Sequence, residues 1–235
     1  MAPMRRELSV GDTLSEVFAT YGANAGVLLP VAFWLFLVVA VIDGLVGSNL
    51  ALLPVTIVIS VIVSTLYQGM VVGLVREVQE GSRDSSISEL FGYAAPVLLP
   101  LIGAGLLAGI GIGVGLALLI VPGLFLMTIW AVIAPVIVIE RSGVVDAFTR
   151  SRELVRGNGW PVFWVIIVAF LIAFAGSIIF GGIATGLSDG PLVRIVFSAL
   201  AQTITAPITA LAAAILYYRV LVLSGSAPAP DAPPA

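Results

Sequence analysis

The sequence predicts an all-α, polytopic membrane protein with six transmembrane helices, and three observations support this prediction. Hydrophobic residues make up 60% of the 235 positions and charged residues only 10%, whereas an ordinary soluble domain is about 25% charged. The mean hydropathy is +1.18. Long uncharged runs separate the few charged residues, and in lipid such runs satisfy their backbone hydrogen bonds as helices or closed barrels. Runs of this length are typical of helices.

The six spans follow from the hydrophobic segments between charged residues. They are predicted at residues 25–42, 52–75, 96–120, 122–139, 157–188 and 195–218. The third and fourth come from one uncharged run, 90–139, which as a single helix would be about 75 Å long at about 1.5 Å per residue. Because the hydrocarbon core is only about 30 Å thick, this run must fold back. Val121-Pro122-Gly123 is the predicted break, since proline and glycine together end helices.

Six spans place both termini on the same side of the membrane. The 10 basic residues are all arginine, and only Arg194 falls on the opposite side. Because cytoplasmic loops carry an excess of positive charge, this distribution predicts a multi-pass protein of the bacterial cytoplasmic membrane with both termini in the cytoplasm. The opposite loops are short, so we expect no external ligand-binding domain.

The chain divides into a six-span membrane domain, residues 1–223, and a Pro/Ala-rich tail, residues 224–235, which is predicted to be disordered. Within the membrane domain the tetrapeptide Val-Leu-Leu-Pro occurs at 27–30 and again at 97–100. Together with the span count, this similarity predicts three repeat units, at about 9–81, 85–142 and 143–223. Each unit is expected to contain an interfacial helix followed by a two-span hairpin.

The predicted interfacial helices are amphipathic. In the first, one apolar stripe at helical spacing is formed by Val10, Leu14, Val17, Phe18 and Tyr21. Such helices either steer the chain into the next span or present a recruiting surface to a partner or a lipid headgroup. The sequence leaves both roles open.

A charged cluster is predicted at the cytoplasmic face, where the fourth span meets the third interfacial helix. Its members are Glu140, Asp146, Arg150, Arg152 and Arg156. Glu140 and Arg150 are candidates for an ion pair between the two elements, and Asp146 lies four residues before Arg150 on the same helix face. The alternative is that Arg150 holds a lipid phosphate.

Polar side chains repeat at helical spacing along two of the spans. On the second span they are Thr56, Ser60, Ser64 and Gln68, and on the sixth they are Ser198, Gln202, Thr205 and Thr209. Small hydroxyl residues of this kind usually pack helices together. The alternative is a groove for a solute or a lipid, with candidate lining residues Ser60, Ser64, Gln68, Ser198, Gln202 and Thr205.

The third span is rich in glycine. Its glycines are Gly103, Gly105, Gly109, Gly111, Gly113 and Gly115. The pairs at 109 and 113 and at 111 and 115 have the four-residue spacing that lets transmembrane helices approach closely. We therefore expect this run to pack against a neighbouring helix.

The composition excludes several classes of function. The chain has no histidine and no cysteine, which removes histidine bases, cysteine nucleophiles and Cys/His zinc sites. No ionisable residue lies in the middle of a predicted span, which weighs against a proton- or sodium-driven pump. The net charge is −3, so no basic surface indicates nucleic-acid binding. We expect no catalytic residue, no cofactor and no metal site.

The stretch 122–165 carries a distinctive pattern of residues around the fourth span and the helix that follows it. The pattern consists of Pro122, Gly123, Pro135, Val138, Glu140, Gly143, Ala147, Arg150, Ser151, Leu154, Gly157 and Asn158. In these residues the chain resembles the membrane domain of glycerophosphoryl diester phosphodiesterases and the YciC-like bacterial membrane proteins. The resemblance implies a six-span membrane domain. It implies no activity here, because in the fused enzymes catalysis belongs to a separate soluble domain.

These observations favour a non-enzymatic membrane protein that organises or assists lipid or envelope processes at the cytoplasmic membrane. Membrane lipids are the expected partners, with a second membrane protein as an alternative. The rival hypothesis is a transporter for a small molecule or a lipid that uses the polar stripes of spans two and six. The two hypotheses differ in geometry, because a transporter needs both stripes to face one cavity that solvent can reach.

Overall fold

The structure is a computed structural model that describes residues 8–46, 49–81, 87–187 and 190–225. In these ranges the chain forms nine α-helices and two short 3-10 helices, without any strand. The α-helices are α1 (Val10–Val46), α2 (Leu53–Gln79), α3 (Ile87–Ala94), α4 (Leu98–Leu118), α5 (Ile120–Ile129), α6 (Ile133–Glu140), α7 (Val144–Val155), α8 (Gly159–Leu187) and α9 (Pro191–Leu223). The 3-10 helices cover Leu50–Leu52 and Ala95–Val97.

Within the described ranges, 6 helical stretches are long and apolar enough to cross a membrane, which confirms the predicted fold class and number of spans. Four of them are the single helices α1, α2, α8 and α9. The other two are composite, because α3 and α4 form the third stretch and α5 and α6 form the fourth.

The interfacial helices differ from the prediction in two of the three units. The first is not a separate helix, because α1 runs without interruption over 37 residues. The second, α3, continues through a 3-10 turn into α4. The third, α7, is separate, and it is bounded by Arg141 and Gly157 in left-handed backbone conformation (φ 55° and 90°). The threefold repeat therefore stays a prediction. Residues 226–235 of the predicted tail lie outside the described residues.

The turn between α4 and α5 lies at Leu119, whose backbone is extended (φ −156°, ψ 132°), just before the predicted Val-Pro-Gly break. A Cβ atom added to Gly115 would lie 2.9 Å from the Cα of Gly123, so these glycines allow the two helices to approach closely. Gly111 likewise makes room for the ring of Trp130. For the other pair, Gly109 and Gly113, the prediction of helix packing is wrong, because both glycines face open space.

The fourth span is broken between α5 and α6, where a continuous helix was expected. Pro135 has no backbone N–H, and its ring crowds the carbonyl of Ala131 in a regular helix. The turn at 130–132 avoids this conflict. The break is covered by α7, because the hydroxyl of Ser151 donates a hydrogen bond to the carbonyl of Ile129 (2.9 Å). The rings of Trp130 and Phe148 also meet edge to face at 4.8 Å.

Helix α9 lies at the centre of the bundle and runs antiparallel to α1. Arg219 of α9 forms an ion pair with Glu16 of α1 near one end (2.7 Å), and Ile195 packs on Gly44 near the other. The most continuously buried segments, 70–75 and 210–217, lie toward the first end. We call this end, with Arg219 and Glu16, the arginine-rich end, and the opposite end, with Asp43, the Asp43 end.

Candidate functional site

A cavity of about 700 Å³ lies between α1, α2, α8 and α9. It begins beside Asp43, Val46 and Leu53, where α1 ends and α2 starts, and it extends to Tyr67 and Ala210 near the middle of α2 and α9. The cavity therefore occupies the half of the bundle at the Asp43 end. The other half is filled by the buried side chains of segments 70–75 and 210–217.

Both polar stripes contribute to the lining of this cavity. The stripe residues that line it are Thr56, Ser60, Ser64 and Gln68 from α2, and Gln202, Thr205 and Thr209 from α9. The structure thus brings together two stripes that are more than 130 positions apart in the chain. Ser198 is the exception, because it lies in a second cavity of about 300 Å³ between α8 and α9. Gln202 lines both cavities, and Arg194 also lines the second one.

The hydroxyl groups of the lining are oriented by their own helices. Thr205 donates to the carbonyl of Ala201 (2.8 Å) and Thr209 to that of Ala206 (3.0 Å). Ser64 donates to the carbonyl of Val61 (3.2 Å) in the same way. Because their protons are used within the helix, these hydroxyl groups present mainly acceptor lone pairs to the cavity.

Gln68 and Gln202 supply the groups with the widest hydrogen-bonding capacity. In the described part of the chain, neither side-chain amide makes a hydrogen bond to another residue, although Gln68 is half-buried. Each amide offers two donors and one carbonyl acceptor. Asp43 adds a carboxylate at the outer mouth of the cavity, and it is the charged member of the described lining. The arrangement can therefore receive a polar molecule that is neutral or positively charged.

Tyr67 forms the floor of the cavity. Its side chain is 2% exposed, its hydroxyl donates to the carbonyl of Leu28 on α1 (3.3 Å), and its ring meets Phe36 edge to face at 5.5 Å. These contacts seal the cavity from the buried core. Two helix-interior prolines, Pro30 in α1 and Pro207 in α9, lie close to this level.

The charged cluster predicted at the end of the fourth span divides into two groups. Arg150 pairs with Glu140 (Nε to Oε2, 3.0 Å) and not with Asp146. The hydroxyl of Tyr217 donates to the other oxygen of Glu140 (3.0 Å), so α6, α7 and α9 are joined at one point. The remaining members are exposed, with Asp146 and Arg152 on α7 and Arg156 directly after it.

Sequence reasoning missed two features of this end of the bundle. One is Tyr217, which the spacing of charged residues did not indicate. The other is a second polar cluster, in which Glu16 accepts from Arg219 (2.7 Å) and from Gln79 (3.3 Å). The signal available in the sequence was that Glu16, Gln79 and Arg219 all lie just outside the apolar segments. Across the described ranges, no group of three or more acidic residues is placed to hold a metal ion.

The fold and the cavity define a polytopic membrane protein with a polar interhelical site. The chain belongs to a family described as a domain of unknown function (DUF7847), whose model matches residues 8–224. It is also 30% identical over 138 residues to a UPF0259 membrane protein of Pectobacterium carotovorum subsp. carotovorum. That match covers 54% of the chain and 54% of the relative, so the chain spans about half of the relative's length. No solved structure matches the chain.

These comparisons support an integral membrane protein. The relative is named as a membrane protein, and the chain has 6 apolar helices of sufficient length within the described residues. Neither description names a catalytic activity. The link to the membrane domain of glycerophosphoryl diester phosphodiesterases is not shown by either match.

Proposed function

We propose that this protein is a transporter for a small polar solute that is neutral or positively charged. The observation that carries the proposal is one cavity lined by residues of both polar stripes, including Gln68 of α2 and Gln202 of α9. If the stripes only packed helices together, they would be sealed against each other. A volume of about 700 Å³ lies within the usual range of small-molecule sites.

The charge of the lining sets the class of solute. The described lining carries the carboxylate of Asp43 and the oxygen atoms of several hydroxyl and amide groups, and no arginine. An anion would meet the Asp43 carboxylate and would find no positive side chain in the described lining of this cavity, although Arg194 lines the neighbouring cavity that shares Gln202. A polyol or a small organic cation would instead be attracted to the mouth and hydrogen-bonded by the glutamines.

A transport cycle requires a second state in which the cavity opens toward the arginine-rich end. Helices α1 and α9 are suited to such a movement. The register set by Glu16 with Arg219 and by Gly44 with Ile195 places Pro30 opposite Pro207. Because each proline removes one intrahelical hydrogen bond, both helices are weakened at the same level. In this proposal Tyr67, which lies beside them, acts as the gate.

Cysteine accessibility tests whether water fills the cavity. The chain has no native cysteine, so Ser64→Cys can be compared with Val58→Cys on the same helix, which is 43% exposed and lies outside the lining. A thiol in water ionises and reacts with a charged thiosulfonate reagent, whereas a thiol in lipid does not. We expect labelling at 64 and none at 58. Asp43→Cys serves as the control for access of the reagent to the Asp43 end. Labelling at Asp43→Cys together with no labelling at position 64 or 58 would contradict a solute cavity.

Flux through proteoliposomes then tests transport. We expect glycerol or choline to equilibrate faster than gluconate. Gln68→Leu and Gln202→Leu should each slow the flux by about tenfold, since a lost hydrogen bond costs about 1–2 kcal/mol. Thr149→Val is the control, because Thr149 lies on α7, outside the cavity and outside the contacts that join α1, α2 and α9 at the arginine-rich end. Equal flux in empty liposomes and in liposomes with the protein would refute the transporter.

A second candidate function is assistance to lipid or envelope processes without catalysis, at the bacterial cytoplasmic membrane. The observation that favours it is the exposed positive charge of α7, at Arg152 and Arg156. We also propose that the arginine-rich end faces the cytoplasm, because cytoplasmic loops carry an excess of positive charge and Arg194 is the described arginine near the Asp43 end. The resemblance to phosphodiesterase membrane domains is compatible with a lipid-related role, but it supplies no substrate.

A further inference from the structure

A second, apolar groove lies on the outside of the bundle, between α5 and the start of α8. Its volume is about 510 Å³, and its lining is apolar except for Thr128. The side chains that line it include Leu124, Phe125, Ile129, Trp160 and Phe163. The hydroxyl of Thr128 is satisfied by the carbonyl of Leu124 (2.8 Å), so the groove offers little hydrogen bonding. Its surface suits a hydrocarbon chain.

Two arginines, one at the end of α7 and one directly after it, lie close in sequence to residues that contact or line this groove. Ser151 touches the carbonyl of Ile129, which is part of the groove lining, and Arg152 is the next residue. Arg156 follows one helical turn later on the same face, three residues before Gly159, which also lines the groove. Both arginines are exposed. In the part of the chain that the structure describes, neither forms an ion pair.

The other charges of α7 lie away from these two arginines. Arg150 is held by Glu140 at 3.0 Å and also approaches Glu153 at 3.9 Å, on the opposite flank of the helix. Phe148 packs its ring on Trp130, the residue directly after α5, and the ring of Trp130 lies against Gly111 of α4. The helix thus carries the ion-paired Arg150 on one flank, and on the other flank Arg152 and Arg156 form no ion pair within the described residues.

We propose that α5, α7 and α8 form a binding site for an anionic phospholipid. One acyl chain lies in the groove, and the headgroup phosphate is bound by Arg152 and Arg156. Two guanidinium groups one turn apart match the several oxygens of a phosphate. Trp160, which is 74% exposed, lies at the mouth of the groove, where tryptophan favours the level of the headgroups. This site is separate from the solute cavity and does not depend on it.

Lipid retention by the full chain in detergent tests the headgroup contact. Phosphatidylglycerol and phosphatidylcholine with identical acyl chains are added, and bound lipid is measured by native mass spectrometry. We expect the wild-type protein to retain phosphatidylglycerol more strongly. Arg152→Gln and Arg156→Gln should each weaken that retention by about fivefold, the effect of one basic residue at an anionic surface. Arg141→Gln, another exposed arginine of the same end, is the matched control and should change retention by less than twofold.

A second pair of variants tests the groove. A Cβ atom at Gly159 meets open space, and so does one at Gly182 farther along the same helix. Because Gly159 lines the groove, a leucine there occupies space that an acyl chain would use, so we expect Gly159→Leu to lose bound phosphatidylglycerol and Gly182→Leu to keep it. The proposal is overturned if wild type retains both lipids equally, or if the double variant Arg152→Gln, Arg156→Gln binds phosphatidylglycerol as wild type does.

Discussion

Replacement of Arg150 by alanine is predicted to destabilise the protein, whereas the same change at Arg152 or Arg156 is not. Arg150 donates from Nε to both oxygens of Glu140 (3.0 and 3.2 Å), and so connects α7 to the end of α6. In Arg150→Ala, Glu140 keeps the hydrogen bond from Tyr217 but loses its counter-charge. Arg152 and Arg156 leave no charge unpaired when they are removed.

The magnitude follows from how deeply the pair is buried. The side chains of Arg150 and Glu140 are 29% and 27% exposed. Exposed pairs contribute about 0–1 kcal/mol, and removal of one partner of a fully buried pair costs about 3–5 kcal/mol. A pair between these limits should cost about 2 kcal/mol. For a chain of this length, about 1 kcal/mol shifts the melting temperature by about 2–4 °C, so Arg150→Ala should melt about 4–8 °C lower.

Thermal melts of single variants in one detergent measure this difference. Arg152→Ala and Arg156→Ala should fall within about 2 °C of wild type, since exposed substitutions usually change stability by less than about 0.5 kcal/mol. Arg76→Ala is a graded control, because its ion pair with Glu80 is more exposed, at 35% and 54%. It should lie close to the two silent variants. Equal melting temperatures for the Arg150, Arg152 and Arg156 variants would refute the structural role of Arg150.

Two further predictions concern helix packing and threading. Gly115→Ala should destabilise the α4–α5 hairpin by about 1–3 kcal/mol, because its Cβ would lie 2.9 Å from the Cα of Gly123. In Gly113→Ala the added methyl group meets open space, so this variant should instead stabilise α4 by about 0.5–1 kcal/mol through helix propensity. Chemical denaturation of both variants measures the difference. A loss of stability in both variants would contradict this prediction. For the membrane topology, an impermeant thiol reagent added outside the cell should label single cysteines at two of five sites. Labelling at Ser151→Cys would overturn the predicted topology. The expected outside sites are Ser48 and Ser188, and the expected protected sites are Ser85, Ser151 and Ser226.

The spans could be predicted from the sequence because transfer into lipid depends on local composition. A run of apolar residues crosses the membrane whatever its neighbours are, and the 6 observed stretches agree with the prediction. The positions at which helices begin and end depend less on local composition. The separate interfacial helix expected before the first span is absent from α1, because no proline or left-handed residue interrupts the segment Val10–Val46 before Pro30.

Proline alone did not indicate where a span would break. Pro30 and Pro207 lie inside continuous helices, whereas Pro135 follows the break between α5 and α6. The difference lies in tertiary contacts. At the break, the carbonyl of Ile129 accepts a hydrogen bond from Ser151, which lies 22 residues away. A transmembrane helix can be interrupted where another group satisfies its backbone, and the sequence does not show which distant side chain will do so.

The polar stripes illustrate the same limit for the candidate site. Helical spacing identified Thr56, Ser60, Ser64 and Gln68 as one face of α2, because periodicity along one helix is a local property. Whether that face meets the stripe of α9 depends on the rotation of two helices about their own axes. Packing sets that rotation: Gly105 admits Thr65 and so fixes α2 against α4, which turns the opposite face of α2 toward the cavity.

The distribution of cross-helix contacts gives the two ends of the bundle different mechanical roles. At the arginine-rich end, Arg219 binds Glu16 and also the backbone carbonyl of Asp12, so α9 is fastened to α1. Gln79 joins α2 to the same glutamate. The polar cavity lies at the other end, where the lining offers hydroxyl and amide groups that water or a solute can occupy equally well. A movement that opened the cavity toward the arginine-rich end would have to separate these contacts as well as the floor at Tyr67. In the proposed transport cycle, this structure is the state in which the cavity is accessible from the Asp43 end, and the Glu16 cluster stabilises that state.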